Sequence, residues 1–277
     1  SGPGSEGRQA MNPRGHPMVA RLFAWTALAA TAATSPAALA PVTAKYRIDQ
    51  TLTQDIDATA AGKGKQSLSF TTASFVTLTL TDSTGGKSVR LVVDSMRGDS
   101  SAPVPAAVFD SAKGAEFRAF LSADGKLSEL ESVNATEAAG RVQGFLSDFF
   151  PWVTAGTRAG QQWADTSTKT TIEGTDSVVV KRVTAYRVLG GATRGARKAL
   201  RISSEHKSTV AGTQPTPNGP ARIEGGGQGS GVYFVSPEGL YLGGDWQLRS
   251  ALTIAGAFAN EPLPITITQT TKVTALR

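Results

Sequence analysis

Apolar and polar residues alternate along most of the chain after residue 43. Segments with this period of two lie on both sides of a central interruption, at 44–56, 66–81, 89–93, 117–121, 126–130, around Ile172, and at 178–189, 200–208, 232–235, 240–254 and 263–273. A period of two is typical of a strand with one buried and one water-facing side. The pattern therefore predicts about eleven strands, five before the interruption and six after it.

The interruption, at 134–150, has the periodicity of an amphipathic helix. Its apolar residues recur at the spacing of one helix face: Val142, Phe145, Leu146 and Phe149. Asn134 is a favourable N-cap residue, and Glu137 completes the spacing of a capping box. Pro151 ends the segment because proline lacks the backbone N–H that a helix needs. We therefore predict one principal helix near 134–150.

Strands with one dry and one wet side, joined by short turns, indicate an antiparallel sheet. Such a sheet can close into a barrel, pair as a sandwich, or curl around a helix. A lone amphipathic helix needs an apolar partner, and here only the sheet offers one. We therefore expect a mainly β fold, a long curved sheet in a half-barrel or barrel, with the helix packed on its concave face.

The first forty residues differ from the rest of the chain. Residues 1–10 contain no methionine, and the basic residues after Met11 or Met18 precede the uncharged run 22–40. This order is typical of a secretory signal peptide, and an uncleaved membrane anchor is the alternative. We predict an N-terminal extension plus signal peptide at 1–40 and a single β-rich domain at 41–277.

The chain contains no cysteine, which excludes disulfides, thiolate catalysis and cysteine metal sites. Export without disulfides is compatible with a bacterial envelope. We therefore expect a periplasmic or extracellular protein after signal cleavage. At 40% hydrophobic and only 7% aromatic residues, its core contains few large side chains.

Catalytic motifs are absent from the sequence. His206 is the one histidine after the predicted signal peptide, and it shares the phase of Leu200 and Ile202, which favours a buried sheet residue over a catalytic base. A serine hydrolase elbow is missing, and zinc bound by two or three histidines is excluded. Carboxylates such as Asp165 and Asp245 leave a carboxylate-based hydrolase as an alternative. We predict a protein that is not an enzyme, without cofactor or metal.

Two glycine-rich segments resemble nucleotide-binding motifs only superficially. Residues 81–88 approach a phosphate-binding loop, but strand follows instead of helix, so we predict a hairpin turn. The segment 225–231, preceded by the proline-rich 213–220, predicts a long surface loop. A flap over a binding cavity is the functional alternative for that loop.

Positive charge is concentrated in one segment of a chain whose formal net charge is +6. Its basic residues, with no acid between them, are Lys181, Arg182, Arg187, Arg194, Arg197, Lys198 and Arg201. Such a hairpin is suited to peripheral contact with an anionic membrane surface. A charged, solvated strand edge is the alternative. Nucleic-acid modules are absent from the sequence, so we expect no nucleic-acid partner.

A signal peptide, about eleven antiparallel strands and a mid-chain helix together resemble the lipoprotein-carrier half-barrels of bacterial envelopes, the LolA, LolB and LprG-like proteins. Pro151, Gly156, Gly160 and Trp163 also resemble uncharacterised bacterial secreted domains. The half-barrel resemblance implies a cavity between helix and sheet that takes acyl chains.

We therefore hypothesise a non-catalytic protein that binds a hydrophobic or amphiphilic ligand such as lipid acyl chains. The residues expected to line the cavity are Phe145, Leu146, Phe149 and Trp152 from the helix side, and Trp246, Leu248 and Leu252 from the sheet side. A structural or interaction module with a filled core is the alternative from another class.

Overall fold

The computed structural model describes residues 43–102, 105–122, 127–134, 143, 146, 150–151, 153, 157–173, 176–216, 219–237, 240–256 and 261–276. In these residues the chain forms eleven strands and one short helix. The first five strands are β1 (Thr43–Ala58), β2 (Gly64–Ser83), β3 (Gly86–Gly98), β4 (Glu116–Ser122) and β5 (Glu131–Ser132). The other six are β6 (Gln162–Glu173), β7 (Asp176–Arg194), β8 (Arg197–Thr216), β9 (Gly219–Val235), β10 (Tyr241–Ala255) and β11 (Leu263–Ala275). Helix α1 spans Ala106–Ser111, and a 3-10 turn spans Thr59–Ala61.

All eleven strands belong to one antiparallel sheet, in the order β5-β4-β3-β2-β1-β11-β10-β9-β8-β7-β6. The first and last strands are therefore neighbours in the middle of the sheet. Each other neighbouring pair is consecutive in sequence, as expected for hairpin connections. The predicted mainly β fold, with five strands before the central interruption and six after it, is confirmed.

The sheet has a dry inner face and a wet outer face. On β1, for example, Tyr46, Ile48 and Leu52 are buried, whereas Lys45 and Arg47 are exposed. The outer face of the central strands is rich in threonine, and several hydroxyls face each other across strands, as in Thr51 with Thr71. Such cross-strand pairs are a regular source of sheet stability.

The sheet is curved but not closed. Among the described residues no strand pairing joins the two edge strands, β5 and β6. The edges nevertheless approach each other, since Lys169 Nζ on β6 lies 2.5 Å from Glu129 Oε1, two residues before β5. Register shifts at Phe75/Val76, Val188/Gly190 and Tyr241/Gly243 interrupt three of the strand pairings. Such bulges increase local twist and help a sheet to curl.

Most of the predicted helix lies outside the described residues. Gln143 and Leu146 are helical, and Leu146 is completely buried. Helix α1 was not predicted from the sequence, because six residues carry too little periodicity, yet it buries Phe109 against the sheet. Among the described residues, no helix has the length and apolar character needed to cross a membrane.

The predicted loop around the second glycine-rich segment is wrong. Residues 219–235 form the continuous strand β9, paired with β8 on one side and β10 on the other. Glycine has no side chain, so the alternation that marks a strand was invisible over 225–231. The first glycine-rich segment is a hairpin turn between β2 and β3, as predicted.

Candidate functional site: a polar belt inside the curved sheet

The inner face of the sheet carries two apolar clusters. The first contains Tyr46, Ile202, Tyr233 and Tyr241, together with Leu146, Phe150 and Val153 from the segment before β6. The second contains Leu52, Phe70, Val180, Ile223 and Ile267. Aromatic rings pack closely in the first cluster, where Phe150 and Tyr46 lie 5.2 and 5.6 Å from Tyr241. Hydrophobic burial on this scale is the main source of stability in the fold.

A band of polar residues and glycines separates the two clusters. We call this band the polar belt. On seven neighbouring strands, the inward positions between the clusters carry Thr72 and Ser74 (β2), Gln50 (β1), Gln269 and Thr271 (β11), Ser250 (β10), Gly227, Gly229 and Gly231 (β9), Ser204 and His206 (β8), and Arg182 and Thr184 (β7). Polar side chains at core positions are uncommon and need hydrogen-bond partners. The belt is therefore the most informative feature of the interior.

Two glutamines of the belt, Gln50 on β1 and Gln269 on β11, together with Gln54 further along β1 beside the second cluster, form what we call the glutamine group. Gln50, Gln54 and Gln269 are at most 6% exposed. The Nε2 atoms of Gln50 and Gln269 both donate to the hydroxyl oxygen of Thr271, each over 3.3 Å. Within the described part of the chain, the Oε1 atoms of all three, and Nε2 of Gln54, have no hydrogen-bond partner.

Gln54 is the most isolated of the three. Its cross-strand neighbours are Leu68 and Ile267, and its neighbours along the same face are Leu52 and Ile56. The amide therefore projects from an apolar surface of the second cluster. Burying an amide in this way without partners costs about 1–3 kcal/mol in protein mutational data.

The opposite side of the belt, which we call the histidine group, is arranged differently. The ring nitrogens of His206 lie 3.0 Å from Thr184 Oγ1 and 3.1 Å from Ser204 Oγ. Burial, with a smaller contribution from the positive charge of Arg182, lowers the pKa of His206 to about 4. The imidazole is consequently neutral at physiological pH and serves as a hydrogen-bonding bridge between two strands.

Strand β9 contributes only backbone to the belt. Gly227, Gly229 and Gly231 face inward, and a Cβ atom at Gly229 would lie 2.3 Å from the carbonyl oxygen of Gln247. Neighbouring strands therefore approach too closely for any side chain at this position. Glycine here permits the sharp local curvature of the sheet.

Charge inside the belt is confined to the β6–β7 side. Arg182 is buried, and Asp165 on β6 shares its face because it pairs with Thr184. By contrast, the inward positions of β1, β2, β10 and β11 between the clusters are all uncharged. The belt thus has a charged end and a neutral end.

The outer face carries a separate, open groove of about 700 Å³. Its lining includes the polar outward residues Asp49, Glu205, Asp245, Arg201 and Lys272. Two of its carboxylates already have cationic partners, since Arg47 and Arg194 lie 2.8 and 3.2 Å from Asp49 and Asp245. Of the described residues predicted to line the acyl cavity, Trp246 borders this groove, whereas Leu146, Leu248 and Leu252 do not.

The sheet residues predicted to line one apolar cavity are separated in the structure. Trp246 belongs to the first cluster with Leu146, whereas Leu252 belongs to the second. Leu248 lies at the level of the belt, opposite Gln269. On the helix side, Phe145, Phe149 and Trp152 lie outside the described residues. Ligand binding by these residues remains a prediction.

The basic hairpin is split between the two faces of the sheet. Lys181, Arg187, Arg197, Lys198 and Arg201 are exposed. The prediction of surface contact is wrong for Arg182, which points inward because residues with even numbers on this part of β7 face the core. Arg194 stacks 4.7 Å above Phe234 on the outer face. The alternative of a charged strand edge is also wrong, because β7 and β8 lie inside the sheet and the edges are β5 and β6.

The two carboxylates considered for a hydrolase do not form a pair. Asp165 lies on the inner face by its register, and Asp245 lies on the outer face beside Arg194. His206 is a buried sheet residue, as the pattern favoured. Among the described residues, no group of three or more potential metal ligands is present.

The polar belt was missed in the sequence, although its signal is present there. Gln50, Gln54, Gln269 and Thr271 occupy the same phase as the apolar residues of their strands. Polar residues that interrupt an apolar face at equivalent levels on adjacent strands indicate a polar layer. Recognising the equivalence requires the register between β1 and β11, which are far apart in sequence.

Comparisons with known proteins do not assign the chain to a family. No protein-family model matches the chain, and no curated protein matches it. A solved structure, that of Pseudomonas aeruginosa OccK2 (OpdF), is 8% identical over 85% of this chain and 98% of that chain, with a TM-score of 0.23. A likeness at that level supports no inference about function. The resemblance to the lipoprotein-carrier half-barrels finds no support in these comparisons.

Proposed function

We propose that the protein is a non-catalytic, exported envelope protein that binds an amphiphilic ligand inside its curved sheet. The observation that carries the proposal is the glutamine group, four of whose six amide nitrogen and oxygen atoms are buried beside apolar residues without a partner in the described part of the chain. A ligand with an apolar part and a polar part matches this combination. Its polar part would meet the belt, and its apolar part would lie along Leu52, Ile267 and their neighbours.

Export is supported by the sequence of the first forty residues, which predicts a signal peptide. The exposed basic residues of the β7–β8 hairpin favour peripheral contact with anionic lipid, from which a ligand would be taken. Lys181, Arg187 and Lys198 belong to this set. Co-sedimentation with phosphatidylglycerol vesicles, compared with phosphatidylcholine vesicles at the same ionic strength, tests the contact. Equal binding to both vesicles would contradict it.

The proposal is tested by native mass spectrometry of the protein purified from a bacterial envelope fraction, followed by organic extraction. We expect an amphiphile bound at fixed stoichiometry, or uptake of an added one. A clean protein mass, with no uptake of decanamide, decanoate or decylammonium, would contradict ligand binding. The outer-face variant Gln228→Leu serves as a control and should behave as the unaltered protein.

A structural or interaction module is the second candidate. It is favoured by the dense packing of the first cluster, where Tyr46, Leu146 and Tyr241 are at most 1% exposed. A cluster filled by the protein's own side chains leaves ligand binding to the belt and the second cluster. The mass measurement separates the two candidates, because a filled module should bind none of the added amphiphiles.

A further inference from the structure

We propose that the glutamine group selects an uncharged, hydrogen-donating head group, a primary amide or a hydroxyl, over a carboxylate on the same apolar chain. This inference rests on the proposed function and specifies its ligand. Most atoms of the glutamine group that lack a hydrogen-bond partner in the described residues are acceptors. Three of the four are carbonyl oxygens, on Gln50, Gln54 and Gln269.

Carbonyl oxygens accept hydrogen bonds and donate none. A ligand group that satisfies them must therefore supply protons of its own. An amide –NH₂ or a hydroxyl does so, whereas an ionised carboxylate has only acceptors. A carboxylate at this position could accept from the single unpartnered donor, Gln54 Nε2, but its oxygens would satisfy none of the three carbonyl oxygens.

The three side chains lie at neighbouring inward positions of β1 and β11. Gln50 and Gln269 both contact the same atom, Thr271 Oγ1, which fixes their amides near each other. Gln54 lies on the same face, and Leu52 between it and Gln50 is directly opposite Gln269. The one unpartnered donor of the group, Gln54 Nε2, matches the carbonyl oxygen of an amide or the oxygen of an alcohol.

A cationic head group would also donate protons, but the surroundings disfavour it. The inward positions of β1, β2, β10 and β11 between the clusters are uncharged, so no anion compensates a buried ammonium. An isolated charge in an apolar environment is far more costly to bury than a neutral polar group. The neutral end of the belt therefore favours a neutral ligand group.

The test compares decanamide, decanoate and decylammonium, which share nearly the same apolar chain, by isothermal titration calorimetry with the full chain at pH 7.5. We expect decanamide to bind about tenfold more tightly than either ion, the equivalent of one or two hydrogen bonds. The variant Gln54→Leu should weaken decanamide binding about fivefold to tenfold and decanoate binding by a smaller factor. Gln228→Leu, the same substitution at an exposed outward position of β9, should alter neither.

The outcomes separate this inference from the proposed function. Equal affinity for decanamide and decanoate, unaffected by Gln54→Leu, would overturn the selectivity and leave amphiphile binding intact. No binding of any probe would overturn both. Circular dichroism confirms that each variant is folded, and Gln269→Leu provides the same comparison at the neighbouring position if Gln54→Leu does not fold.

Discussion

The histidine group and the glutamine group lie on the same inner face of the sheet but differ in how their hydrogen bonds are completed. His206 has hydroxyl partners from two strands, at 3.0 and 3.1 Å. Gln54, which is 1% exposed, has no partner for either amide atom among the described residues. Both groups are buried, since His206 is 7% exposed and Gln50, the most exposed of the three glutamines, is 6% exposed. Burial therefore does not explain the difference.

The contrast separates polar residues that build the sheet from polar residues that are suited to a ligand. A buried network with complete hydrogen bonds specifies a unique core, whereas an incomplete one is destabilising on its own. Proteins tolerate such local costs mainly at functional positions. The histidine group fits the structural role, and the glutamine group fits the binding role.

Acidification below pH 6.5 should destabilise the folded protein through His206. The pKa of His206 is lowered to about 4 by burial, whereas its unfolded value is 6.5. The unfolded chain binds more protons between these values, so the free energy of unfolding falls as pH falls from 6.5 towards 4. The expected loss is about 1.4 kcal/mol per pH unit, about 3 kcal/mol in all. Urea unfolding at a series of pH values measures it.

The variant His206→Gln isolates this contribution. The glutamine keeps a polar side chain between Thr184 and Ser204 but does not titrate. The free energy of unfolding of this variant should therefore not show the loss of about 3 kcal/mol between pH 6.5 and pH 4. Glu116 and Asp57, whose pKa values are lowered by hydrogen bonds from Arg90 and Thr59, act at lower pH and affect both proteins equally. Identical slopes for the two proteins would show that His206 is not held neutral by the fold.

Strand β9 separates the two groups, and a side chain there should disturb both. Gly229→Ala places a Cβ atom 2.3 Å from Gln247 O and 3.0 Å from Leu248 Cα. Backbone atoms cannot move away as a flexible side chain can, so we expect a loss of about 2 kcal/mol in the free energy of unfolding. Gly191→Ala on β7 is the control, because its Cβ would meet nothing within 4 Å. Equal stability of the two variants would contradict the close approach of the strands.

The strands could be predicted from the sequence but the belt could not, because the strand pattern is local and the belt depends on pairing between distant strands. Alternation is a local property, visible in β1 from Tyr46 to Ile56 without knowledge of any partner strand. The belt depends on which residues of different strands lie opposite each other. Gln50 on the first strand is opposite Thr271 on the last strand, and no local pattern shows this pairing. The strand character of 225–231 was hidden because it depends on close approach by β8 and β10, which no local pattern records.

Replacing His206 by leucine should destabilise the protein even though leucine is apolar and of similar size. The change leaves Thr184 Oγ1 and Ser204 Oγ without their partner, and both residues are at most 4% exposed. Leaving buried hydroxyls unsatisfied costs about 1–3 kcal/mol, and hydroxyl rotation towards backbone carbonyls recovers a part. We expect a loss of about 1.5 kcal/mol in urea unfolding at pH 7.5. An unchanged midpoint would show that the histidine bridge does not contribute to stability.

Replacing Gln54 by leucine should have the opposite effect on stability. Gln54→Leu removes an amide without partners and extends the apolar surface formed by Leu52, Leu68 and Ile267, so the ligand-free protein should gain about 1 kcal/mol. Urea unfolding of ligand-free protein, beside Gln228→Leu as the exposed control, measures the gain. A variant that is more stable yet binds decanamide more weakly is expected of a binding residue and not of a structural one. If Gln54→Leu instead lost stability as His206→Leu does, the amide would have a structural role, and the distinction between the two groups would be wrong.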